Sequence, residues 1–336
     1  MKALAPLGPV VAIDVGGTKT ALLVAGQQGG SAPRADRLPT LAARGPRDLF
    51  ARIEASLRRL LGPDAGLTDV VGVGMVCPGI ATDDGVLFAP NTPGWENLRV
   101  RDVLADMFPA ARITVMNDVK AAALAETRQG LLNGVEYGLY LNVGTGLSCA
   151  LVVRGTVLDG ANGAAGEIAY QVLDPDDPGV RDGRAPLEET FSGAALTEVA
   201  RAWTGDGTTA GTAFDLARAE PDFNELINVR VRRFATAVAN LATAFDPARI
   251  VVGGGMAEHT EVFAELAVAL KRLVPFPPGL LRSDMHDDAA LTGALIAARE
   301  AARPARGAAA PADTAPSVPL SERTGASPSG LRTICG

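Results

Sequence analysis

The chain has 336 residues, 47% of them apolar and 21% charged, with a formal net charge of -7. That length allows two domains of ordinary size or one large one, with apolar material for a sizeable core. The negative sign excludes a protein built chiefly to grip nucleic acid phosphates, and no apolar stretch is long enough for a signal peptide or a bilayer span.

In chain order, Val10 to Asp14 reads as a buried strand ending in a carboxylate, followed at once by Gly16-Gly17. A second strand, Thr20 to Ala25, turns at 26–30, so the opening unit is a hairpin rather than a strand-to-helix turn. Leu49, Phe50, Ile53, Leu57, Leu60 and Leu61 recur at helical spacing until Gly62-Pro63. Val70 to Val76 is the next strand, broken by Cys77-Pro78-Gly79. A long polar, turn-rich loop from Asp83 to Asn97 follows, a length that is uncommon in a compact domain unless functional. Then come a short helix near Val100 to Met107, a strand from Ile113 to Met116, and an Ala-rich helix from Val119 to Arg128 directly after Asn117-Asp118.

The second half repeats the theme. Tyr137 to Val143 and Leu147 to Val153 are strands joined through Gly144-Thr145-Gly146. Helices follow around Ala194 to Ala202, Phe223 to Phe245 and Thr260 to Leu273, with a strand at Ile250 to Val252 before Gly253-Gly254-Gly255. Two halves that each open on strand, glycine turn, strand imply two related α/β domains facing a cleft. The division is 1–117, 118–301 and a flexible Ala/Pro-rich tail, 302–336. Cys77, Cys149 and Cys335 are dispersed and odd in number, so they form no disulfide framework or metal cluster. This fits a cytoplasmic chain with neither nucleic acid nor a membrane as partner. His259 and His286 lie outside every motif and read as surface residues.

Each chemical motif has a plain structural reading beside a functional one. Adjacent glycines after Asp14 let a phosphate approach backbone N–H groups, Thr18 adds a donor, and Asp14 can hold Mg²⁺ directly or through water. Alone, such a turn is only a turn; three glycine turns after strands in one chain make a stronger case. Asn117 and Asp118 are both good helix N-caps, and Asp118 is equally a carboxylate able to take the proton of an attacking hydroxyl. Asn162, Glu167, Tyr170 and Glu188 are polar groups set among small residues, suited to sugar hydroxyls or to solvent.

Asp14-Val15-Gly16-Gly17-Thr18-Lys19, Pro78-Gly79, Ala89-Pro90-Asn91, Gly94-Trp95, Asn117-Asp118, Gly144-Thr145-Gly146 and Gly160-Ala161-Asn162-Gly163-Ala164-Ala165-Gly166-Glu167 occur in the order that resembles the ROK family of sugar kinases and sugar-regulon repressors. Gly253-Gly254-Gly255 and Leu291-Thr292-Gly293-Ala294 fit its C-terminal end. The resemblance implies a two-domain actin-like (ribonuclease H-like) ATPase fold with ATP and Mg²⁺ bound in the cleft and a sugar or sugar-like acceptor beside them. It implies Asp118 as catalytic base. Asp14, Gly16, Gly17, Thr18 and Lys19 form the first phosphate loop, Gly144, Thr145 and Gly146 the second, and Gly253 and Gly254 line the adenosine pocket. Asn91, Asn117, Glu167 and Glu188 fall on the sugar contacts, Asp14 lies near the Mg²⁺, and the family is frequently dimeric.

The departure from the family pattern lies after Glu167. Its kinases commonly carry a His in Gly-Glu-Ile-Gly-His and a following Cys-rich segment, which together bind a structural zinc. Here Tyr170 stands where the His belongs, and Asp174 to Glu188 contains no Cys. The expectation is therefore no zinc site and an acceptor pocket altered at the Tyr170 end. The primary hydroxyl of glucose is the first expected acceptor, with kanosamine, an N-acetylhexosamine or a C7-cyclitol as alternatives, and polyphosphate as an alternative donor. A sugar-sensing regulator is the competing class. Its expected helix-turn-helix domain would precede the first phosphate motif, and Asp14 lies too near the N-terminus for one.

Overall fold

The computed structural model describes residues 8–26, 32–89, 92–205, 209–285 and 288–303. Asn91, His286, the tight turn expected at 26–30 beyond its first residue, and the tail from 304 lie outside the described residues.

The first five-stranded sheet comes from β1 (Pro9–Val15), β2 (Lys19–Gly26), β3 (Arg34–Pro39), β4 (Gly72–Val76) and a later strand. β1 to β3 form an antiparallel meander, and β4 adds parallel to β1 after the crossover helix α1 (Gly45–Leu61). A small hairpin, β5 (Ile80–Ala81) and β6 (Val86–Leu87), interrupts the expected long loop. Past it, Trp95 is buried and packs on Phe50. Then α2 (Val100–Met107) leads to β7 (Arg112–Met116), which completes the strand order β3-β2-β1-β4-β7.

After α3 (Asp118–Gln129) the topology recurs. β8 (Tyr137–Val143), β9 (Leu147–Val153) and β10 (Thr156–Val157) form a second meander. α4 (Pro186–Thr190), α5 (Gly193–Thr204), α6 (Ala210–Ala219) and α7 (Pro221–Phe245) precede β11 (Arg249–Gly253). α8 (Thr260–Leu273), β12 (Gly279–Arg282) and α9 (Ala289–Ala302) close the described chain. β11 and β12 add parallel beyond β8, so the second order is β10-β9-β8-β11-β12, the counterpart of the first. The strands β3, β10 and β12 and the helices α4, α6 and α9 escape the sequence reading. β3 is exposed and charged along most of its length, and β12 packs little of itself inward, so neither carries a clean apolar pattern.

One core fills the space between the first sheet and α1 and α2, and a larger one lies beneath the second sheet under α4 to α8. α3 and α9 pack against each other between the sheets. This explains why α3 is rich in Ala and buried on nearly every side: small residues let two backbones and a sheet approach together. Ala294 and Ala298 of α9 lie over Gly72 and Gly74 of β4, and Gly293 meets the Ala121 carbonyl of α3 where any Cβ would overlap it.

Candidate active site

Asp14 ends β1, and Gly16-Gly17-Thr18 hands the chain to β2 in a turn closed by the Gly16 N–H donating to the Lys19 carbonyl at 3.0 Å. Thr40 braces this turn. Its hydroxyl donates to the Gly16 carbonyl at 2.7 Å, and its N–H donates to the Thr18 carbonyl at 2.8 Å. Gly17, Thr18 and Lys19 are exposed, leaving bare backbone accessible to an anion.

The second turn, Gly144-Thr145-Gly146, joins β8 to β9, and α5 starts directly against it. The Gly193 N–H donates to the Gly144 carbonyl at 2.8 Å, and the Ala194 N–H donates to the Thr145 carbonyl at 3.0 Å. The Ser192 hydroxyl caps α5 by accepting the Ala195 N–H at 3.0 Å. The positive end of α5 thus abuts the second turn and favours negative charge there. Ser192 and Gly193 were not singled out in the sequence, although a serine before a glycine-led helix is a capping signal.

The third turn, Gly253-Gly254-Gly255, ends β11. Gly254 has φ of +87°, and a Cβ there would collide with the Val143 carbonyl, so glycine is required twice over. Cavities flank the turn on both sides. One of about 410 Å³ is lined by Asp118, Tyr140, Asn142, Gly253, Gly254 and Arg282. The other, about 680 Å³, runs past Gly144, Thr145, Gly193, Gly255 and His259. His259 is therefore not the plain surface residue the sequence reading made it: it is half-buried and stacks on Phe214 at 4.4 Å.

At the start of α3 the cap ambiguity resolves. Asn117 is the N-cap, its side-chain oxygen accepting the Lys120 N–H at 3.1 Å. Asp118 is the first helical residue; its Oδ1 accepts the Val119 N–H at 2.7 Å, and its side chain keeps an open face in the cleft. The Asn117 amide donates to Glu167 Oε1 at 3.1 Å, tying the segment that carries Glu167 to α3. Glu188 stands behind the second turn, its Oε2 accepting the Leu147 N–H at 2.8 Å. Tyr170 lies in a short 3₁₀ turn and packs its ring on exposed Phe88 at 4.9 Å, a partner the sequence reading missed. The signal for Phe88 is faint, a lone aromatic just before Ala89-Pro90.

The carboxylates crowd one another. Burial pushes Asp14 up to about 6, with Asp118 adding to the rise and Arg37, two strands away in register, opposing it. Burial also raises Asp118, against hydrogen bonds from the backbone N–H groups of Val119 and Asp118 itself. Glu167 is raised by burial, Asp118 and Glu188, and lowered by Lys120 and Asn117. Such a site holds more negative charge than its own cations offset, so its donor chemistry suits a hard dication. Among the described residues no cluster of three or more His, Cys, Asp or Glu is arranged to hold a metal ion. Mg²⁺ needs none, since it binds through one or two carboxylates together with phosphate oxygens and water. Asp14, a carboxylate at the end of β1 next to the first glycine turn, is of the type that could serve there.

A stability prediction follows from the sign of the Asp14 shift. The folded chain holds this proton more tightly than the unfolded chain, whose value is near 3.8, so stability falls as pH rises from about 4 to about 6 and stays lower above that. The whole effect is about 3 kcal/mol at most. Asp14→Asn is expected to raise the unfolding free energy at neutral pH by about 1–2 kcal/mol and to flatten the slope between pH 4 and 6. Urea unfolding across that range checks it; an unchanged slope contradicts it.

A family model described as the ROK family matches residues 10–301. The glucokinase of Halalkalibacterium halodurans is 29% identical over 74% of this chain and 80% of its own length. The kanosamine kinase of Amycolatopsis mediterranei is 31% identical over 73% of this chain and 80% of its own. The crystal structure of a ROK family glucokinase from Streptomyces griseus in complex with glucose and AMPPNP superposes with a TM-score of 0.69 at 25% identity, covering 87% of this chain and 100% of that one. Paired meander sheets with glycine turns on both match the actin-like ATPase fold of that structure, and with these relatives the chain is a sugar kinase. The chain belongs to the ROK family. No helix among the described residues is long and apolar enough to cross a membrane.

Proposed function

We propose that the chain transfers the γ-phosphoryl group of ATP to the primary hydroxyl, of the O6 type, of glucose or a glucose-like acceptor, with Asp118 as general base. The observation that carries this reading is the division of labour at α3. Asn117 caps the helix, which leaves the Asp118 carboxylate lining the cavity shared with Gly253 and Gly254. Mg²⁺ with ATP supplies the phosphoryl group and neutralises charge on its oxygens.

The chain's own residues do the rest. Gly16, Gly17, Thr18 and Lys19 on one sheet, and Gly144, Thr145 and Gly146 on the other, cradle the phosphates, with Asp14 toward the Mg²⁺. Gly253 and Gly254 admit the adenosine against bare backbone. Asn91, Asn117, Glu167, Tyr170 and Glu188 orient the acceptor. Asp118 takes the hydroxyl proton as the oxygen attacks; desolvation raises its proton affinity, which helps it hold that proton, while the N–H groups of Val119 and of Asp118 itself favour its anionic form. Closure of the cleft excludes water, which would otherwise compete as acceptor. The reading keeps the division 1–117 and 118–301, which puts Asp118 first past the boundary, and a cytoplasmic enzyme.

The Tyr170–Phe88 pair favours a second, narrower reading of the acceptor. An aromatic wall where the family commonly carries His supports an amino sugar such as kanosamine, an N-acetylhexosamine or a C7-cyclitol. Acceptor-stimulated ADP release across glucose, mannose, amino and N-acetylated sugars and cyclitols tests both. Tyr170→His is expected to move the kcat/KM preference toward glucose by roughly tenfold. Absence of stimulated release with every acceptor overturns the kinase reading, and an unmoved preference overturns the role given to Tyr170.

A further inference from the structure

Lys120 places an ammonium in the first turn of the alanine-rich helix α3, with its side chain only 6% exposed. Burying an ammonium is costly unless its donors are met. All three are met here. Nζ donates to the Gly163 carbonyl at 2.6 Å, to Asp159 Oδ1 at 3.1 Å and to the Asp159 carbonyl at 3.2 Å. Two of these acceptors are main chain, so the contact fixes the course of the backbone and not merely a charge pair. The Asp159 side chain itself is 79% exposed.

The far end of the same segment is tied to the same turn of α3, because the Asn117 amide holds Glu167 Oε1. Asn117 and Lys120 are also linked to each other through the cap bond. Segment 159–167 is thus pinned at both ends to the first turn of α3, with Asp118 between the pins. We propose that Lys120 is a positioning residue of the acceptor site: it tethers the 159–163 turn to α3 and thereby sets where the Glu167 carboxylate stands beside Asp118. The proposal rests on the acceptor-site reading above and extends it to a residue outside the family motifs.

The charge has a second effect. Glu167 faces Asp118, Lys120 and Asn117 from α3, Glu188 from α4, Tyr170 from its own turn and the Cys149 thiol from β9. Lys120 also lines a small cavity with Arg101 of α2 and with Asp159. Of the groups acting on Glu167, Lys120 is the cation that opposes its protonation, so its loss leaves Glu167 neutral to higher pH.

The test uses the full chain carrying Lys120→Met, which keeps the side chain's length without its donors. Amide hydrogen exchange over 159–167 is expected to speed up by at least about tenfold, while 14–19 and 144–146 stay unchanged. With ATP and D-glucose, or the panel sugar turned over fastest, the acceptor KM rises about tenfold while the ATP KM stays within about twofold. The acid limb of kcat/KM for the acceptor moves to higher pH, a readout that mere loosening leaves in place. Unchanged exchange, or both KM values rising together, overturns the tether; an unmoved acid limb overturns the charge effect. Asp159→Ala serves if the methionine variant does not fold. It removes one acceptor at an exposed site, so exchange rises about threefold and the acid limb moves to lower pH; no change in either overturns the proposal. The exchange measurement needs no acceptor, so a chain that turned over no sugar would fail the kinase reading separately from the tether.

Discussion

Asp118→Asn is expected to lower kcat by about a thousandfold while leaving sugar binding nearly unchanged. General-base help is worth roughly 10²- to 10⁴-fold, and the upper half of that range suits a carboxylate that alone takes the proton of an otherwise unactivated hydroxyl. The amide keeps the size and most hydrogen bonds of the acid, and Asn at the first position of α3 disturbs the helix little, since the cap is Asn117. ADP release at saturating acceptor measures the first effect, and sugar binding by calorimetry the second. Full turnover in the variant removes Asp118 as base. Loss of binding together with turnover makes it a scaffold residue, because a base acts in the transition state and not in the ground-state complex.

The other large effect is structural. Gly293→Ala is expected to destabilise the chain by about 3 kcal/mol, at the upper end of what overpacking costs. The added methyl would overlap the Ala121 carbonyl, a backbone atom in a buried helix that cannot swing aside as a side chain could. α9 would have to lift from α3, and with it from Gly72 and Gly74 of β4, loosening the seam that joins the two sheets. Urea unfolding reads the loss, and nucleotide and sugar affinities should weaken together because both sheets carry the site. A change below about 1 kcal/mol would mean that the helices separate at little cost.

Much of the site was legible because its motifs are local. Asp14 with Gly16-Gly17-Thr18, and Gly144-Thr145-Gly146, announce themselves as glycines at strand ends, and the fold places both turns as the hairpins expected. Asn117-Asp118 was legible as a pair but not as a division of roles. Both side chains can cap a helix, and only the backbone at Asn117, extended rather than helical, decides which one does. Lys120 went unnoticed because a lysine in a helix is ordinarily solvated, and its burial depends on carbonyls some forty residues away. Phe88 and Tyr170 were invisible as partners for the same reason. Asn91 lies outside the described residues, so its place among the acceptor contacts rests on the motif.

Local pattern sufficed for the hairpins, the glycine turns, the doubled α/β plan and the family resemblance, since strand, turn and helix signals depend on near neighbours and come in a recognisable order. Packing between distant segments was needed for the rest. α9 crosses back onto the first sheet because Gly72, Gly74 and Gly293 leave room for it, α5 aims its positive end at the second turn, Asp118 interacts with both Asp14 and Glu167, and a buried Lys120 acts on Glu167. Spatial proximity of that kind leaves no trace in sequence spacing, yet it governs which protons are held and which backbone stays put.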